Sequence, residues 1–531
     1  APFYDPALTA LDRSALQALK DGTTVPTGLS PLGDALVYVW TYFHDTPRKT
    51  IVNNLGYTIL EERIKKSKDQ PTPVTLRTYY TYDILGRELT SADPRLSQTA
   101  GLHNFEMTYS LVGEVLKTIS VDAGTSWGLT NTLGNPIWGY DARQVTVTHT
   151  YDVLHRPTQV HVQKPTSAQD PLALNQIVEQ MVYGDTPGAV TNPAQHNLRG
   201  QLYQHYDEAG LVTIPNYELA GGVLEQQRQF LKDYKQEVNW DDITPGAVAA
   251  LLQASVYTEQ AIYDAMGRVT KDTDADNNEV VPTYHPQSGR LQKVTLTPND
   301  APTSPVQVVT DITYNARNQR EAISYGNATA TAYTYDPKTY ELTGVSTQKG
   351  TDPKLQDLTY VYDPVGNVVS KTDAAAPEVF YNNEQVNATM TYTYDSLYRL
   401  IEGTGREKVG SSPAAGNIPI IAPSPHAHNS TTLQNYLEKY TYGDATDAAK
   451  DGGNLRKTQH IATGNNYTRT MVVSDTSNRA VISTINGTGM PEPTPAEVNN
   501  YFYVHGNQVK TQQLHPLAWN YRDNLQKATV V

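Results

Sequence analysis

Cysteine is absent from the 531 residues of this sequence. Its absence excludes disulfide bonds and thiolate metal sites, so packing and hydrogen bonds have to hold the fold. Phenylalanine is scarce, with 6 residues against 36 tyrosines. A closed globular core draws on phenylalanine freely, because that side chain has no hydroxyl to satisfy. The imbalance indicates an aromatic surface that is half exposed to water.

Long apolar runs are also missing. The longest, such as residues 34–40, have the length of a strand and fall far short of the roughly 20 residues that a membrane-spanning helix needs. We therefore expect no membrane span. Positive charge is in deficit, with a formal net charge of −14. Nucleic acids and anionic membranes favour concentrated lysine and arginine, so neither is expected as a partner.

The chain is longer than one ordinary hydrophobic core supports, which predicts several domains or an elongated repeat structure. Hydrophobic residues make up 38% and charged residues 18% of the sequence, and 35 glycines and 33 prolines are spread along it. This composition is typical of many strands interrupted by turns, and not of a disordered polymer.

A repeat runs through most of the chain. Its full form is Tyr-Asp, two variable residues, Gly and Arg, found at 82–87 and 263–268. Weaker copies begin at Tyr109, Tyr314 and Tyr442. The structural repeat residues that we expect to form the turns are Tyr82, Asp83, Gly86, Arg87, Tyr151, Asp152, Arg156, Tyr206, Asp207, Gly210, Tyr263, Asp264, Gly267, Arg268, Tyr335, Asp336, Tyr362, Asp363, Gly366, Tyr394, Asp395 and Arg399.

Alternating residues flank each copy, as in 76–82 before one turn and 367–372 after another. A period of two on both sides of a turn predicts a β-hairpin. Within the turn, Asp can accept bonds from backbone amides ahead of it, while Gly or Asn supplies the positive φ of a tight reversal. Stacked hairpins would set the tyrosine rings about 5 Å apart, as an aromatic ladder on one sheet face.

Two stretches carry helical signals. Residues 170–181 begin with Asp-Pro, and residues 221–240 are rich in Leu, Glu, Gln, Arg and Lys; a third, short helix is predicted at 244–252. Residues 403–432 are rich in Gly, Ser, Pro, Ala and Asn, which predicts a long flexible loop.

These signals give a domain layout. An N-terminal β-rich lead-in is expected at 1–75, followed by the repeat region at 76–531. The helical stretches are interpreted as insertions near 168–182 and 221–256. The predicted fold class is all-β, built from repetitive antiparallel hairpins with minor helical insertions.

At these repeats the sequence resembles the Rhs/YD-repeat family, and more narrowly the repeat shells of bacterial insecticidal toxin complexes and polymorphic toxins. The resemblance runs from about residue 75 to the end and is strongest at 120–124, 197–210, 394–406 and 519–525. It implies a long antiparallel sheet that spirals into a cocoon around a cytotoxic polypeptide. It also implies a downstream core that releases this cargo with aspartates. We expect neither that core nor the cargo within these residues, and interpret 363–366 as an ordinary turn.

Two candidate metal sites are weak. Residues 272–279 begin like a calcium loop, but Asn277 stands where glycine belongs and Thr283 where a bidentate acid belongs, which favours an acidic hairpin turn. His426 and His428 would need further ligands from elsewhere, and their Pro and Asn-Ser neighbours favour a solvated loop. We expect no catalytic residue, cofactor or metal.

Three functions stay open. The first is a non-enzymatic shell segment, secreted or associated with the cell surface, whose partners are a toxin polypeptide and other shell or toxin-complex components. The second is an adhesion module that recognises a host-surface glycan or receptor. The third is a polysaccharide-active enzyme that uses aromatic rows as sugar platforms. The surroundings of the tyrosine rings distinguish between them.

Overall fold

The computed structural model describes residues 8–166, 173–409, 432–443, 448–463, 466–485, 493–511 and 514–530. These residues form a mostly antiparallel β protein with few helices, which confirms the predicted class. The α-helices are α1 Ala10–Asp21, α2 Pro31–Phe43 and α3 Pro245–Leu251. No helix among the described residues is long and apolar enough to cross a membrane.

The strands are numbered in chain order. They are β1 Lys49–Val52, β2 Thr58–Lys65, β3 Val74–Tyr82, β4 Glu88–Ala92, β5 Phe105–Tyr109, β6 Val115–Ser120, β7 Gly124–Thr130, β8 Pro136–Tyr140, β9 Thr146–Tyr151, β10 Pro157–Lys164, β11 Leu174–Tyr183, β12 Leu202–Asp207, β13 Gly210–Tyr217, β14 Val223–Phe230, β15 Tyr257–Tyr263, β16 Val269–Thr273, β17 Glu279–Tyr284, β18 Leu291–Thr297, β19 Val306–Tyr314, β20 Arg320–Tyr325, β21 Thr329–Tyr335, β22 Leu342–Lys349, β23 Gln356–Tyr362, β24 Val368–Asp373, β25 Val379–Tyr381, β26 Glu384–Val386, β27 Thr389–Tyr394, β28 Leu400–Lys408, β29 Leu433–Tyr442, β30 Leu455–Ala462, β31 Tyr467–Val473, β32 Ala480–Ile485, β33 Leu514–Trp519 and β34 Leu525–Val530.

The chain divides into two compact units. Unit 1 comprises residues 1–126, 333–347 and 353–531, and unit 2 comprises 127–332 and 348–352. In unit 2 each strand from β8 to β20 pairs antiparallel with its neighbour in sequence. In unit 1 the same pattern joins β1 to β6, and later β22 to β24 and β27 to β32, with β24 pairing directly to β27.

The N-terminal lead-in is not β-rich as predicted, because α1 and α2 occupy much of it. Thr9 and Asp12 form a capping box at the start of α1. Ser30 caps α2, with Pro31 at its first position, where the missing amide costs no helical bond. The apolar run 34–40, interpreted as strand-length, therefore lies inside α2.

Two predicted helices are strands. Residues 174–183 form β11 and residues 223–230 form β14, each paired on both sides, so sheet pairing overrides local helix propensity. Only the short helix at 244–252 is confirmed, as α3. The insertion in unit 2 accordingly begins after Phe230.

The predicted loop at 403–432 is also partly wrong. Residues 403–408 continue β28, where they pair with β29, and residues 410–431 lie outside the described residues. The glycines that suggested a loop, Gly403 and Gly405, leave room beside the rings of Tyr392 and Tyr436. Glycine within a strand marks close approach of a neighbouring group as often as it marks a bend.

A seam closes unit 1 on itself, where later turns contact residues at the end of β2 and just after β4. The Ser396 hydroxyl donates to the Ile64 carbonyl (2.7 Å) and accepts from the Lys66 amide (2.7 Å). The Arg95 guanidinium is almost fully buried and donates to the carbonyls of Ser474 (2.8 Å) and Ser477 (2.6 Å). Most of these bonds end on backbone groups, so the seam depends on the path of the chain more than on side-chain identity.

The seam contains one buried charge cluster. Asp451 is 2% exposed and accepts from Lys65 Nζ (2.6 Å) and from both terminal nitrogens of Arg399 (2.8 and 2.9 Å). Arg399 is also paired with the buried Asp395. Burial would raise the pKa of Asp451, but the bonds from Arg399 and Lys65 outweigh it and lower that pKa to about 2. The carboxylate therefore stays charged in mild acid.

We predict that Asp451→Asn lowers the free energy of unfolding by about 3–5 kcal/mol, because it leaves the partly buried Lys65 ammonium, whose side chain is 13% exposed, without its counter-charge. A carboxyl whose folded pKa is depressed stabilises above its ordinary pKa, and that contribution is lost only as the pH falls towards 2. Urea unfolding at pH 7 and pH 4.5 should give the same penalty at both. The pair Lys354–Asp357, which is more exposed than the Asp451 cluster, supplies the control, and Asp357→Asn should cost under about 1 kcal/mol. If Asp451→Asn and Asp357→Asn lowered the free energy of unfolding equally, the buried charge cluster would not stabilise the seam.

Candidate functional site: the Tyr-Asp turns

The aspartate of each full repeat closes its turn with one carboxylate. In Asp83, Oδ1 accepts the amides of Leu85 (2.8 Å) and Arg87 (3.0 Å), while Oδ2 accepts Arg87 Nε (2.6 Å). Asp152, Asp264 and Asp395 make the same three bonds. The bond from the Arg268 side chain, followed by that from its amide, lowers the pKa of Asp264. Each of these carboxylates thus accepts backbone amides ahead of it and the arginine side chain of its own turn.

In the turns after Tyr82, Tyr151, Tyr362 and Tyr394, the fourth residue after the tyrosine has a positive φ. Gly86 has φ 80° and Gly366 φ 93°, and the register then shifts by one residue, as in a type I turn followed by a bulge. His155 and Tyr398 occupy this position with φ near 60°. A side chain is thus accepted where space allows, but at Gly86 a Cβ would lie 2.1 Å from the Tyr57 ring.

The tyrosine hydroxyls link each hairpin to the one before it. Among the described residues, ten of these hydroxyls donate to the carbonyl of the first residue of the strand that comes before theirs in the sheet, at 2.7–3.1 Å. The donors are Tyr109, Tyr151, Tyr183, Tyr217, Tyr263, Tyr284, Tyr314, Tyr362, Tyr394 and Tyr442. Such a carbonyl lies beside the turn, outside the regular ladder, so the phenol supplies its partner.

The arginines link each hairpin to the one after it. The guanidinium of Arg156 lies 4.0 Å from the centre of the Tyr183 ring. The guanidinium of Arg268 lies 4.4 Å from the centre of the Tyr284 ring. Arg87 lies over Tyr109 in the same way and donates to the Ser110 carbonyl of the next turn (2.8 Å). One side chain therefore fixes its own Asp turn and covers the next aromatic ring.

This arrangement corrects the predicted ladder of tyrosine rings about 5 Å apart. The tyrosines that make this hydroxyl bond end odd-numbered strands, so another strand separates successive rings. An arginine lies against the ring in each of five pairs, at 4.0–5.6 Å. Tyr57 and Tyr82 are the exception, with stacked rings 5.3 Å apart.

Two of the predicted copies depart from the pattern. Tyr206 lies one residue before the end of an even-numbered strand, so its turn is at the opposite edge of the sheet. Its ring is buried against Trp240, and Asp207 pairs with Arg228 of β14. Gly210 opens β13 with φ 139°. Asp336 heads a turn one residue longer, in which it accepts the amides of Lys338 and Thr339.

Three tyrosines whose hydroxyls make the bond to the preceding strand were missed. Tyr183, Tyr217 and Tyr284 are followed by Gly, Glu and His in place of Asp. Their signal is the position of a Tyr at the end of an alternating stretch, about one hairpin from the neighbouring copies. A search for that position, without requiring Asp, would have found them.

A buried histidine lies in unit 1 between two carboxylates and two phenols. His460 is 6% exposed; its Nε2 is 3.1 Å from Glu407 and its Nδ1 3.2 Å from Glu438. The ring stacks on Tyr467 (4.8 Å) and lies 5.0 Å from Tyr436. Burial lowers the pKa of His460, but the bonds to Glu407 and Glu438 outweigh it and raise the pKa to about 9. The imidazole is therefore a structural cation at neutral pH.

The candidate metal sites gain no support. Asp274 closes a tight turn through the amides of Asp276 and Asn278, and Asn277 has φ 62°, which confirms an acidic hairpin turn. His426 and His428 lie outside the described residues. The described part of the chain contains no group of three or more His, Asp or Glu side chains that could hold a metal ion.

We predict that Tyr314→Phe, which keeps the ring and removes the bond to the Leu291 carbonyl (2.8 Å), lowers the free energy of unfolding by about 1 kcal/mol. Tyr234 is 80% exposed, and Tyr234→Phe should leave stability unchanged. Denaturant unfolding of both variants measures the difference. A Tyr314→Phe variant as stable as the control would show that the hydroxyl contributes nothing.

For His460 we predict a stabilisation that disappears in alkali. A histidine whose folded pKa is raised stabilises fully below its ordinary pKa, and that contribution is lost as the pH rises through about 9. The difference in unfolding free energy between wild type and His460→Gln should therefore shrink, by on the order of 2 kcal/mol, between pH 7 and 10. Burial lowers the pKa of His149, so His149→Gln serves as the control with no such trend. A pH-independent difference for His460→Gln would contradict the charged state.

Comparison with known proteins identifies the relatives of these turns. Residues 464–514 match the family model of the tripartite Tc toxins repeat. The toxin subunit YenC2 of Yersinia entomophaga is 32% identical over 515 residues, which is 92% of this chain and 50% of the relative. Toxin subunit YenC1 of the same organism is 30% identical, over 92% of this chain and 48% of the relative. The chain thus spans about half the length of the curated relatives it matches.

Solved structures of Tc toxin components also match this chain. The crystal structure of TcdB2-TccC3 matches with a TM-score of 0.81 and 34% identity, over 92% of this chain and 23% of that chain. The Photorhabdus luminescens Tc holotoxin pore matches with the same TM-score and identity, over 94% of this chain and 22% of that chain. Taken with the repeat itself, these similarities assign the chain to the Tc toxin group of Rhs/YD-repeat proteins.

Proposed function

We propose that this chain is a wall segment of a toxin-complex shell, which encloses a cytotoxic polypeptide and protects it before delivery. Its role is structural and not enzymatic, and it acts as part of a secreted complex. The repeat region at 76–531 supplies the wall, and the partners are the toxin polypeptide and other shell components.

One observation carries the proposal: consecutive hairpins are coupled sideways by side chains as well as by the sheet. The tyrosine hydroxyl reaches back one hairpin and the arginine reaches forward one, as at Tyr284 and Arg268. A wall needs this lateral continuity, because every hairpin depends on its neighbours for burial. The match of most of the chain to TcdB2-TccC3 supports the same function.

The same contacts disfavour the alternatives. A sugar platform needs an open aromatic face, whereas the rings of Tyr109, Tyr183 and Tyr284 each lie against an arginine and their hydroxyls are bonded to backbone. The turn carboxylates are likewise engaged by backbone amides and arginine. The tyrosines and aspartates of these turns therefore offer neither an open aromatic row for a glycan nor a free pair of carboxylates for acid-base catalysis.

The partner surface that we propose lies at the early turns of unit 1. Ile84 is 95% exposed, Leu111 fully exposed and Val112 85% exposed. The equivalent position in a seam turn carries a polar residue, Ser396, whose hydroxyl donates to the Ile64 carbonyl. Exposed apolar turn tips along one sheet edge are typical of a surface that a partner covers. We propose that a neighbouring shell component contacts these tips.

A protection assay tests the proposal. The chain, carrying a toxin polypeptide fused at its C-terminal end, is produced with a partner shell protein of the same toxin complex and treated with protease. We expect the fused polypeptide to be digested at least about tenfold more slowly than the same polypeptide alone, because a closed wall excludes the protease.

The Ile84→Asp/Leu111→Asp variant should lose both partner binding and protection, since charge at the turn tips opposes burial. Leu355 is 64% exposed in the loop between β22 and β23, and Leu355→Asp should retain both. Digestion of the wild-type fusion at the rate of the unenclosed polypeptide would overturn the proposed function.

A further inference from the structure

A groove opens on the sheet of unit 2, beside the insertion that follows β14. Its volume is about 1180 Å³, which exceeds the typical range for a small-molecule site. The floor is formed by residues of β10 to β12, and one wall is formed by Pro245, Val248 and Ala249 of α3 and by Leu252, which directly follows the helix. The opposite rim is the turn after β9, where Leu154 is 61% exposed.

The insertion shows what this sheet face accepts. Trp240 is fully buried on it; its amide donates to the Ile177 carbonyl (2.8 Å) and its indole Nε1 to the Asp207 carbonyl (2.9 Å). Its ring packs against Tyr206, which also lines the groove. A segment of polypeptide, anchored by an apolar side chain and by amide bonds, therefore already lies beside the open groove.

The groove also contains an acceptor that lacks a donor. Gln180 lines the floor, and its side-chain oxygen is buried with no hydrogen-bond partner among the described residues. A buried polar atom without a partner costs free energy that an incoming N–H group would recover when the amide turns towards it. Backbone amides of a polypeptide are such donors.

The charged groups at the groove disfavour other ligands. Arg156 is paired with both Asp152 and Asp185, and Lys232 is bonded to the carbonyls of Ala249 and Ala250. These cations are engaged within the protein, so a phosphate or fatty-acid carboxylate would have to displace their partners. The Tyr183 ring is covered by Arg156, which leaves no open platform there for a sugar.

We propose that this groove binds a short apolar segment of the enclosed toxin polypeptide in an unfolded state, and so holds it against the wall. The inference rests on the proposed function, and names the part of the chain that contacts the cargo. Apolar side chains of the segment lie between α3 and the turn after β9, and a backbone amide donates to Gln180.

Fluorescence anisotropy tests it with a labelled, permanently unfolded polypeptide, reduced and carboxymethylated α-lactalbumin, added to the intact chain. Leu154→Glu should weaken binding at least about tenfold, because it places a charge against the apolar wall. Leu85 holds the same position in the turn after β3 and is 63% exposed, so Leu85→Glu is the matched control and should bind like wild type. Equal affinity of the two variants for the unfolded polypeptide would show that the polypeptide does not bind in this groove.

Gln180→Met separates binding from folding. Removing the unpartnered acceptor should leave the unfolding free energy unchanged or raised, while the polypeptide binds several-fold more weakly. Unchanged polypeptide affinity would overturn the role of Gln180. Binding of the fatty-acid probe cis-parinaric acid that is lost in Leu154→Glu, with no binding of the unfolded polypeptide, would overturn the proposed occupant.

Failure of this inference is distinguishable from failure of the proposed function. If wild type protects the fused toxin polypeptide and Leu154→Glu binds the unfolded polypeptide as wild type does, the groove is not the cargo site, and the proposed shell function still stands. If the isolated chain binds the unfolded polypeptide through the groove but the complex does not protect the fused toxin polypeptide, the proposed shell function is wrong. The occupant of the groove is then not the cargo.

Discussion

The structure depends on how each turn is joined to its neighbours. The Asp carboxylate holds the turn and its Arg, the Arg lies over the next Tyr, and that Tyr hydroxyl bonds back to the preceding strand, as in Asp264, Arg268 and Tyr284. Each bond is worth little alone, about 1 kcal/mol or less. Repetition makes the coupling large, and it explains why tyrosine is abundant while phenylalanine, which lacks the hydroxyl, is rare.

The residues at the turn tips differ between turns that lie in the seam and turns that face solvent. In the seam of unit 1 the tips are polar and bond to backbone, as Ser396 does, whereas Ile84 and Leu111 present bare apolar tips to solvent. The buried cluster around Asp451 keeps the seam charged and closed in mild acid. The turns thus serve two purposes: their bases hold the sheet together, and their tips decide what it touches.

The sequence predicted the hairpins because the cause is local: Asp and Gly act within five residues, and alternation is visible along each strand. It misassigned 174–183 and 223–230, whose helical composition is overridden by strands on either side. It also missed α2, although Ser30, a residue type that caps helices, stands directly before Pro31 and the apolar run. The seam, which joins Lys65 to Asp451, and the groove beside α3 have no local signal, because they arise from distant parts of the chain.

A double-mutant cycle on Arg268 and Tyr284 tests the coupling of neighbouring hairpins most directly. Arg268→Met and Tyr284→Leu are made singly and together, and unfolding free energies are compared. The guanidinium lies 4.4 Å from the ring centre, so the coupling energy should be about 0.5–1 kcal/mol or more. Penalties that add to within about 0.3 kcal/mol would contradict it, and would reduce the repeat to independent turns on an ordinary sheet.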